Sequence, residues 1–228
     1  TELPRLAQRT ENLVVGAPCG LMDQLSSYFG EPRTFLPIVC QPDHIENSIP
    51  IPNDIFFLGI DSGVRHSVGG ASYSDVRCAA FMGYTIIAQS LGASRKDISA
   101  AIEQHNFSAL PHKGYLCNIS VNEFESDMRN VLPERISGKE FLSLFGNSID
   151  SVTTVDETRQ YAVKICTAHP IYENERVHQF RQLMIDLNQS CISSRKQVFA
   201  KMGELMYQSH ESYSHCGLGC DRTNEIVT

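Results

Sequence analysis

At 228 residues, with 42% hydrophobic and 20% charged side chains, the chain can bury a core without a disulfide scaffold and has room for one large domain or two small ones. Nineteen basic against 26 acidic residues leave a net charge of −7, which argues against a nucleic-acid partner that would need a basic surface. The most apolar stretch, Ile55 to Ile60, is far short of the ~20 residues of a membrane span, and the polar opening Thr1-Glu2-Leu3-Pro4-Arg5 is no secretory signal, so a cytoplasmic protein without a membrane partner is expected.

In chain order, Leu3, Leu6, Leu13 and Val14 among charges predict the end of an amphipathic helix over 3–14. Gly16-Ala17-Pro18-Cys19-Gly20 breaks it, and a second helix is predicted from about Leu21 to Tyr28, stopped by Gly30. Thr34–Cys40 and Ile49–Ile51 read as short strands. The run Asp54–Ile60 reads as a buried strand, ended by Asp61-Ser62-Gly63. Ser72 and Asp75 form a capping-box pattern, and Val76, Ala79, Ala80, Gly83, Ile86 and Ile87 keep helical spacing behind it, which predicts a helix over about 73–91. Short helices are expected near 95–104, 121–131 and 138–145. After Pro170, the stripes Val177/Phe180/Leu183/Met184/Leu187 and Val198/Phe199/Met202/Leu205/Met206 predict a helical hairpin joined around 188–194. Helix, then strands, then mostly helices is an α+β order rather than a βαβ alternation.

The eight cysteines are widely and irregularly spaced in a chain of ordinary apolar content, so reduced thiols are expected. His210, His215, Cys216 and Cys220 lie close in sequence, but their spacing fits no standard zinc finger, and a helix end followed by a Gly-rich loop accounts for them.

Two segments can carry chemistry. In Gly16 to Gln24, a carboxylate, Asp23, follows a Gly/Pro loop one turn into a helix. The helix N-terminus favours its ionised form, the glycines let a ligand approach the backbone, and such a carboxylate can take a proton from a substrate hydroxyl. The plain alternative is an acidic residue stabilising a helix start. In Gly59 to Tyr73, a predicted strand gives way to small residues carrying Asp61, Arg65, His66 and Ser67, a common setting for ligand contacts, with a paired Asp61–Arg65 turn as the plain alternative. A Cys–His hydrolase would use Cys19, its thiol pKa lowered at a helix start, with a partner such as His66, though nothing local specifies that pairing.

Taken together, Gly16-x-Pro18-Cys19-Gly20-x-Met22-Asp23-Gln24 and Val64-Arg65-His66-Ser67 followed by Ser72-Tyr73-Ser74 resemble the galactokinase branch of the GHMP kinase superfamily. Val39-Cys40-Gln41-Pro42, Gly59 through Gly70, His169-Pro170-Ile171-Tyr172-Glu173-Asn174-Glu175-Arg176-Val177, and the tail from Met206 to Asp221 extend the likeness toward plant-type L-arabinokinases over nearly the whole chain. The resemblance implies an α+β GHMP kinase-like fold. Residues 1–67 would be the back part of its N-terminal domain and 68–228 part of its helix-rich, ferredoxin-like C-terminal domain. It implies an ATP-dependent sugar 1-kinase acting on L-arabinose, with galactose or galacturonate kinases, a non-catalytic sugar sensor or a kinase remnant as alternatives. Asp23 matches the catalytic aspartate, and Gly20, Asp23 and Tyr73 match sugar-binding positions. ATP and Mg²⁺ are implied, but neither a metal ligand nor a nucleotide ligand is implied among these residues. The family's Gly-Arg-Thr-Asn-type segment and its Pro-x-Gly-x-Gly-Leu-Ser-Ser-Ser phosphate loop are not in this sequence, which also does not begin with Met. The chain is therefore expected to be part of a longer protein, and by itself is expected to be inactive and to bind no nucleotide.

Overall fold

A computed structural model describes residues 2–17, 19–41, 43–64, 71–189 and 192–227, with only the backbone described at 71, 72 and 192–194. In order, the elements are α1 (Glu2–Thr10) with a π-helical turn (Glu11–Val15), α2 (Met22–Phe29), β1 (Thr34–Phe35), β2 (Ile38–Val39), β3 (His44–Ile45), β4 (Ile49–Pro50), α3 (Ala71–Ser90), α4 (Arg95–Glu103), α5 (Val121–Glu123), β5 (Ile136–Ser137), α6 (Gly138–Phe145), β6 (Gln160–Tyr161), α7 (Val163–Gln189), α8 (Ile192–His215) and α9 (Asp221–Val227). The architecture is α+β and helix-rich, with three antiparallel two-stranded pairs: β1–β4, β2–β3 and β5–β6. Among the described residues no helix is long and apolar enough to cross a membrane. The described cysteines are free thiols.

The chain forms two compact units. The first comprises 1–69, 176–208 and 221–228. Here α1 passes into the π turn and stops at Gly16, whose φ of +76° lies in the left-handed region that a Cβ disfavours. The predicted hairpin forms from the later part of α7 and the earlier part of α8. Met184, Leu187 and Met202 pack with Ile49 in one core, joined by Phe35, Phe180, Leu183 and Val198. Its stripes are wider than the covered face: Val177, Phe199 and Met206 stay exposed. Asn188 Nδ2 donates to the Pro50 carbonyl at 2.9 Å, and Arg195 pairs with Asp54 at 2.8 Å, fixing β4 and the segment after it to the hairpin.

The run Asp54–Ile60 corrects its sequence reading. It is not a strand, and it is not buried: Phe56 is 75% and Leu58 89% exposed, with Ile55 packed against the core and Phe57 edge-on to Phe35. A β-prone run becomes a strand only when a neighbour takes its N–H and C=O groups, and among the described residues no strand pairs with it.

The second unit comprises 70–175 and 209–220. Its centre is α3, in which Cys78, Ala79, Met82, Tyr84, Ile86, Ile87 and Ala88 are all buried, so the helix is covered on more than one face. One core joins it to Phe124, Met128, Phe141, Tyr161, Val163 and Cys166, and a smaller one to Ile98, Ala101, Leu110 and Ile149. The helix begins at Ala71, so Ser72 lies inside it rather than at its cap, and Asp75 instead pairs with Arg159 at 2.5 Å. The Ser-x-x-Asp pattern that does cap a helix is Ser94 to Asp97, where both reciprocal bonds of the box are present at the start of α4. Helix α7 also begins before the predicted point. It opens at Val163 and runs through Pro170, which has no N–H to return to the Cys166 carbonyl.

Gly83 marks where α3 and α7 meet most closely. A Cβ there would stand 1.7 Å from Thr167 Oγ1, which is fully buried and donates to the Val163 carbonyl at 2.7 Å. Gly83→Ala is therefore expected to cost about 3 kcal/mol through overpacking, read as a lower urea midpoint with an unchanged slope.

Candidate functional site

The π turn and the start of α2 bring the Gly16–Gln24 segment against α1. Between α1 and α2 lies a cavity of about 300 Å³ whose walls include Pro4, Ala7, Glu11, Asp23, Gln24 and Tyr28. Asp23 is the second residue of α2, exposed and on this wall. Gly20 lies three residues earlier, also exposed, and the volume a Cβ would take there is open. An open backbone approach and a carboxylate one turn apart, beside an apolar floor with a few polar groups, suit a small polyol.

Asp23 and Gly20 sit between two side chains that are heavily tied down. Before them, Cys19 is held on every side. Its N–H donates to Asn12 Oδ1 at 3.2 Å, its carbonyl accepts from Gln8 Nε2 at 3.4 Å, and its thiol donates to Glu11 Oε2 at 3.2 Å and Asn12 Oδ1 at 3.4 Å. After them, Gln24 donates from Nε2 to Glu11 Oε1 at 2.8 Å. The Gln24 amide and then the Cys19 thiol hold the Glu11 carboxyl below its ordinary pKa. Gln24 is 8% exposed, and among the described residues its Oε1 has no hydrogen-bond partner. An acceptor left so costs about 1–3 kcal/mol.

The Cys19 environment reverses the sequence expectation of an activated thiol. Burial pushes its pKa up, and the facing Glu11 carboxylate pushes it further. The helix begins only at Met22, so Cys19 lies outside the first turn, where helix amides would stabilise a thiolate. A neutral thiol acting as a hydrogen-bond donor is a structural group, not a nucleophile. The rest of the hydrolase reading, His66, lies outside the described residues, as do Arg65 of the Asp61–Arg65 turn and Ser67. Asp61 Oδ1 accepts from the Gly63 N–H at 2.8 Å.

Tyr73 belongs to the second unit, in the first turn of α3. One turn on, Arg77 forks onto Asp150 with bonds of 2.8 and 2.9 Å and lies over the Phe81 ring. Burial draws the Arg77 pKa down, but the Asp150 carboxylate and the Tyr73 phenol outweigh it and leave it raised. Tyr73 stands one turn before this ion pair in α3. Among the described residues no group of three or more His, Cys, Asp or Glu side chains is arranged to hold a metal ion. At the end of α8, Cys216 is buried, with its thiol donating to the Ile165 carbonyl at 3.7 Å.

The sequence motif contained Gln24 without a role and Cys19 only as a candidate nucleophile, and Glu11, Asn12 and Gln8 were missed. The available signal was positional. These polar residues sit where an amphipathic helix ends immediately before a Gly-rich turn, and such residues serve to bond the turn.

No family model matches the chain. The chain is 40% identical over 99% of its length to L-arabinokinase of Arabidopsis thaliana, of which it covers 22%. It is 40% identical to galactokinase of Chloroflexus aggregans over 40% of its own length and 23% of that protein. It is also 41% identical to galactokinase of Mycobacterium tuberculosis over 32% of its own length and 21% of that protein. The chain spans roughly a fifth of the length of these curated relatives. The motif resemblance holds: the chain is a relative of the L-arabinokinases and galactokinases, which are sugar kinases by name.

Proposed function

We propose that this chain supplies the sugar side of a sugar 1-kinase that transfers the γ-phosphoryl group of ATP to the anomeric hydroxyl of L-arabinose. The observation that carries the reading is Asp23 on the wall of a small cavity, three residues after Gly20, in a chain so similar to an L-arabinokinase. Asp23 is the catalytic residue. It takes the proton from the anomeric oxygen as that oxygen bonds to the γ-phosphorus and the bond from phosphorus to the ADP oxygen breaks. The Gly20 backbone N–H and the Tyr73 hydroxyl are the sugar-binding groups, donating to or accepting from ring hydroxyls. Phosphoryl transfer depends on holding acceptor and donor in line more than on covalent chemistry, so a poised carboxylate and a sugar-binding rim are the acceptor's whole contribution.

In this reading the fold is of the GHMP kinase type, with 1–67 in its N-terminal domain and 68–228 in its C-terminal domain. ATP is the second substrate and Mg²⁺ accompanies it. With no cation cluster among the described residues, no side chain here is assigned to the metal. Free nucleotide and free monosaccharide place the reaction in the cytoplasm.

The test is transfer from γ-labelled ATP in the complete protein, offered L-arabinose, D-galactose and D-galacturonate separately. Labelled L-arabinose 1-phosphate is the expected product. Label on none of the three sugars overturns the reading.

A further inference from the structure

The bonds around the acceptor segment converge on one side chain. Glu11 receives the Cys19 thiol on one carboxylate oxygen and the Gln24 amide on the other. Cys19 and Gln24 flank the stretch from Gly20 to Asp23, which holds both groups assigned to the sugar. Resting on the function proposed above, we infer that Glu11 is a positioning residue for the acceptor sugar, bracing this stretch from both ends so that the Asp23 carboxylate is held in place on the cavity wall.

Three further observations point the same way. The peptide unit is planar, so whatever fixes the Cys19 carbonyl also aims the Gly20 N–H in the opposite direction. That carbonyl is held by Gln8 Nε2, while the N–H on the other side of Cys19 donates to the Ala17 carbonyl at 2.8 Å and to Asn12 Oδ1 at 3.2 Å. Gly20 thus inherits its orientation from side chains of α1 and the π turn. The volume beside Gly20 is open. Finally, Gln24 completes the brace at the expense of its own Oε1, which has no hydrogen-bond partner among the described residues. A residue selected only for core stability would present an apolar side chain of similar volume at this site. The arrangement puts rigid hydrogen bonding where a hydroxyl must be met within a few tenths of an ångström, and it leaves Glu11 on the cavity wall without making it the proton acceptor.

The experiment compares steady-state constants of the complete protein with those of Glu11→Ala, Glu11→Gln and Gln24→Met. Glu11→Ala is expected to lower kcat about 10–100-fold while leaving KM for ATP unchanged, the size of loss that follows from misplacing an acceptor by about an ångström. Glu11→Gln keeps an acceptor oxygen for Gln24 and is expected to recover most of that loss. Gln24→Met keeps the volume, and is expected to lose kcat on the same scale while its thermal midpoint stays near that of the unmodified protein. A merely structural Glu11 would instead reduce the folded fraction and leave kcat per folded molecule unchanged, and that result overturns the inference. If Glu11→Ala yields no folded protein, Gln24→Met decides: a lowered kcat supports the brace and an unchanged kcat overturns it. An unmodified protein that phosphorylates no sugar overturns the function and the inference together. Active protein with unaffected variants overturns the inference alone.

Discussion

Asp23→Asn is expected to lower kcat of the complete protein about 10²–10⁴-fold, the usual contribution of a positioned general base, while the affinity for sugar changes little. The substitution keeps size and shape and removes only the charge and the proton-accepting oxygen. Asp23 sits on the surface of the cavity, not in a core, and its main-chain carbonyl, which accepts from Ser26 Oγ at 3.1 Å, is untouched. Stability should therefore hold, and the loss should appear in turnover. Sugar affinity measured by calorimetry separates the two cases. Retained binding with lost turnover is the signature of a group needed in the transition state, whereas a variant with full kcat removes Asp23 from the chemistry.

Arg77→Ala is expected to destabilise the second unit by about 3–5 kcal/mol, because it strands Asp150, which is 3% exposed, without its partner. Replacing both residues by apolar ones of similar volume is expected to cost much less, since no unpaired charge is then buried. The pair also sets a pH dependence. Burial alone would raise the Asp150 pKa, but the Arg77 and Thr153 hydrogen bonds outweigh it and hold it below the ordinary carboxylate value. A depressed folded-state pKa means the contribution is fully present above the unfolded value of about 3.9 and is lost as pH falls through the lower folded value. The difference in urea midpoint between the unmodified protein and Arg77→Ala should then be constant near neutrality and shrink as pH falls, first through the higher folded-state pKa that Asp150 takes once Arg77 is gone and last through its lowered value in the unmodified protein. A difference that instead shrinks between pH 8 and 6 would mean another group is responsible.

Local signals read well where a single segment decides its own conformation. The break at Gly16, the stop at Gly30, the helix behind Tyr73 and the Met/Leu hairpin of α7 and α8 all follow from spacing and backbone chemistry in the sequence. Readings failed where the outcome depends on a distant partner. Asp54–Ile60 has strand composition, but a strand is a relation between two segments. The helical stripe is legible only after Pro170, yet α7 opens at Val163 and runs through the proline. Ser72 and Ser94 open similar patterns, and only the second meets helix amides in the right place. The candidate site divides in the same way. Asp23 and Gly20, proposed on the resemblance, lie three positions apart in one segment and can be proposed from that segment alone. The Glu11 brace cannot, because its value lies in joining residues eight and thirteen positions away.

The run after Asp54 has a practical consequence for solubility. Ile55-Phe56-Phe57-Leu58-Gly59-Ile60 carries no charge and no proline, and it leaves Phe56, Leu58 and Ile60 largely in water. That is the composition from which cross-β stacking begins. Purified as these 228 residues, the polypeptide should become turbid in a concentration-dependent way, and salts that strengthen apolar association should hasten it. A lysine in place of Leu58, whose side chain is almost wholly in water, would act as a gatekeeper there without entering either core.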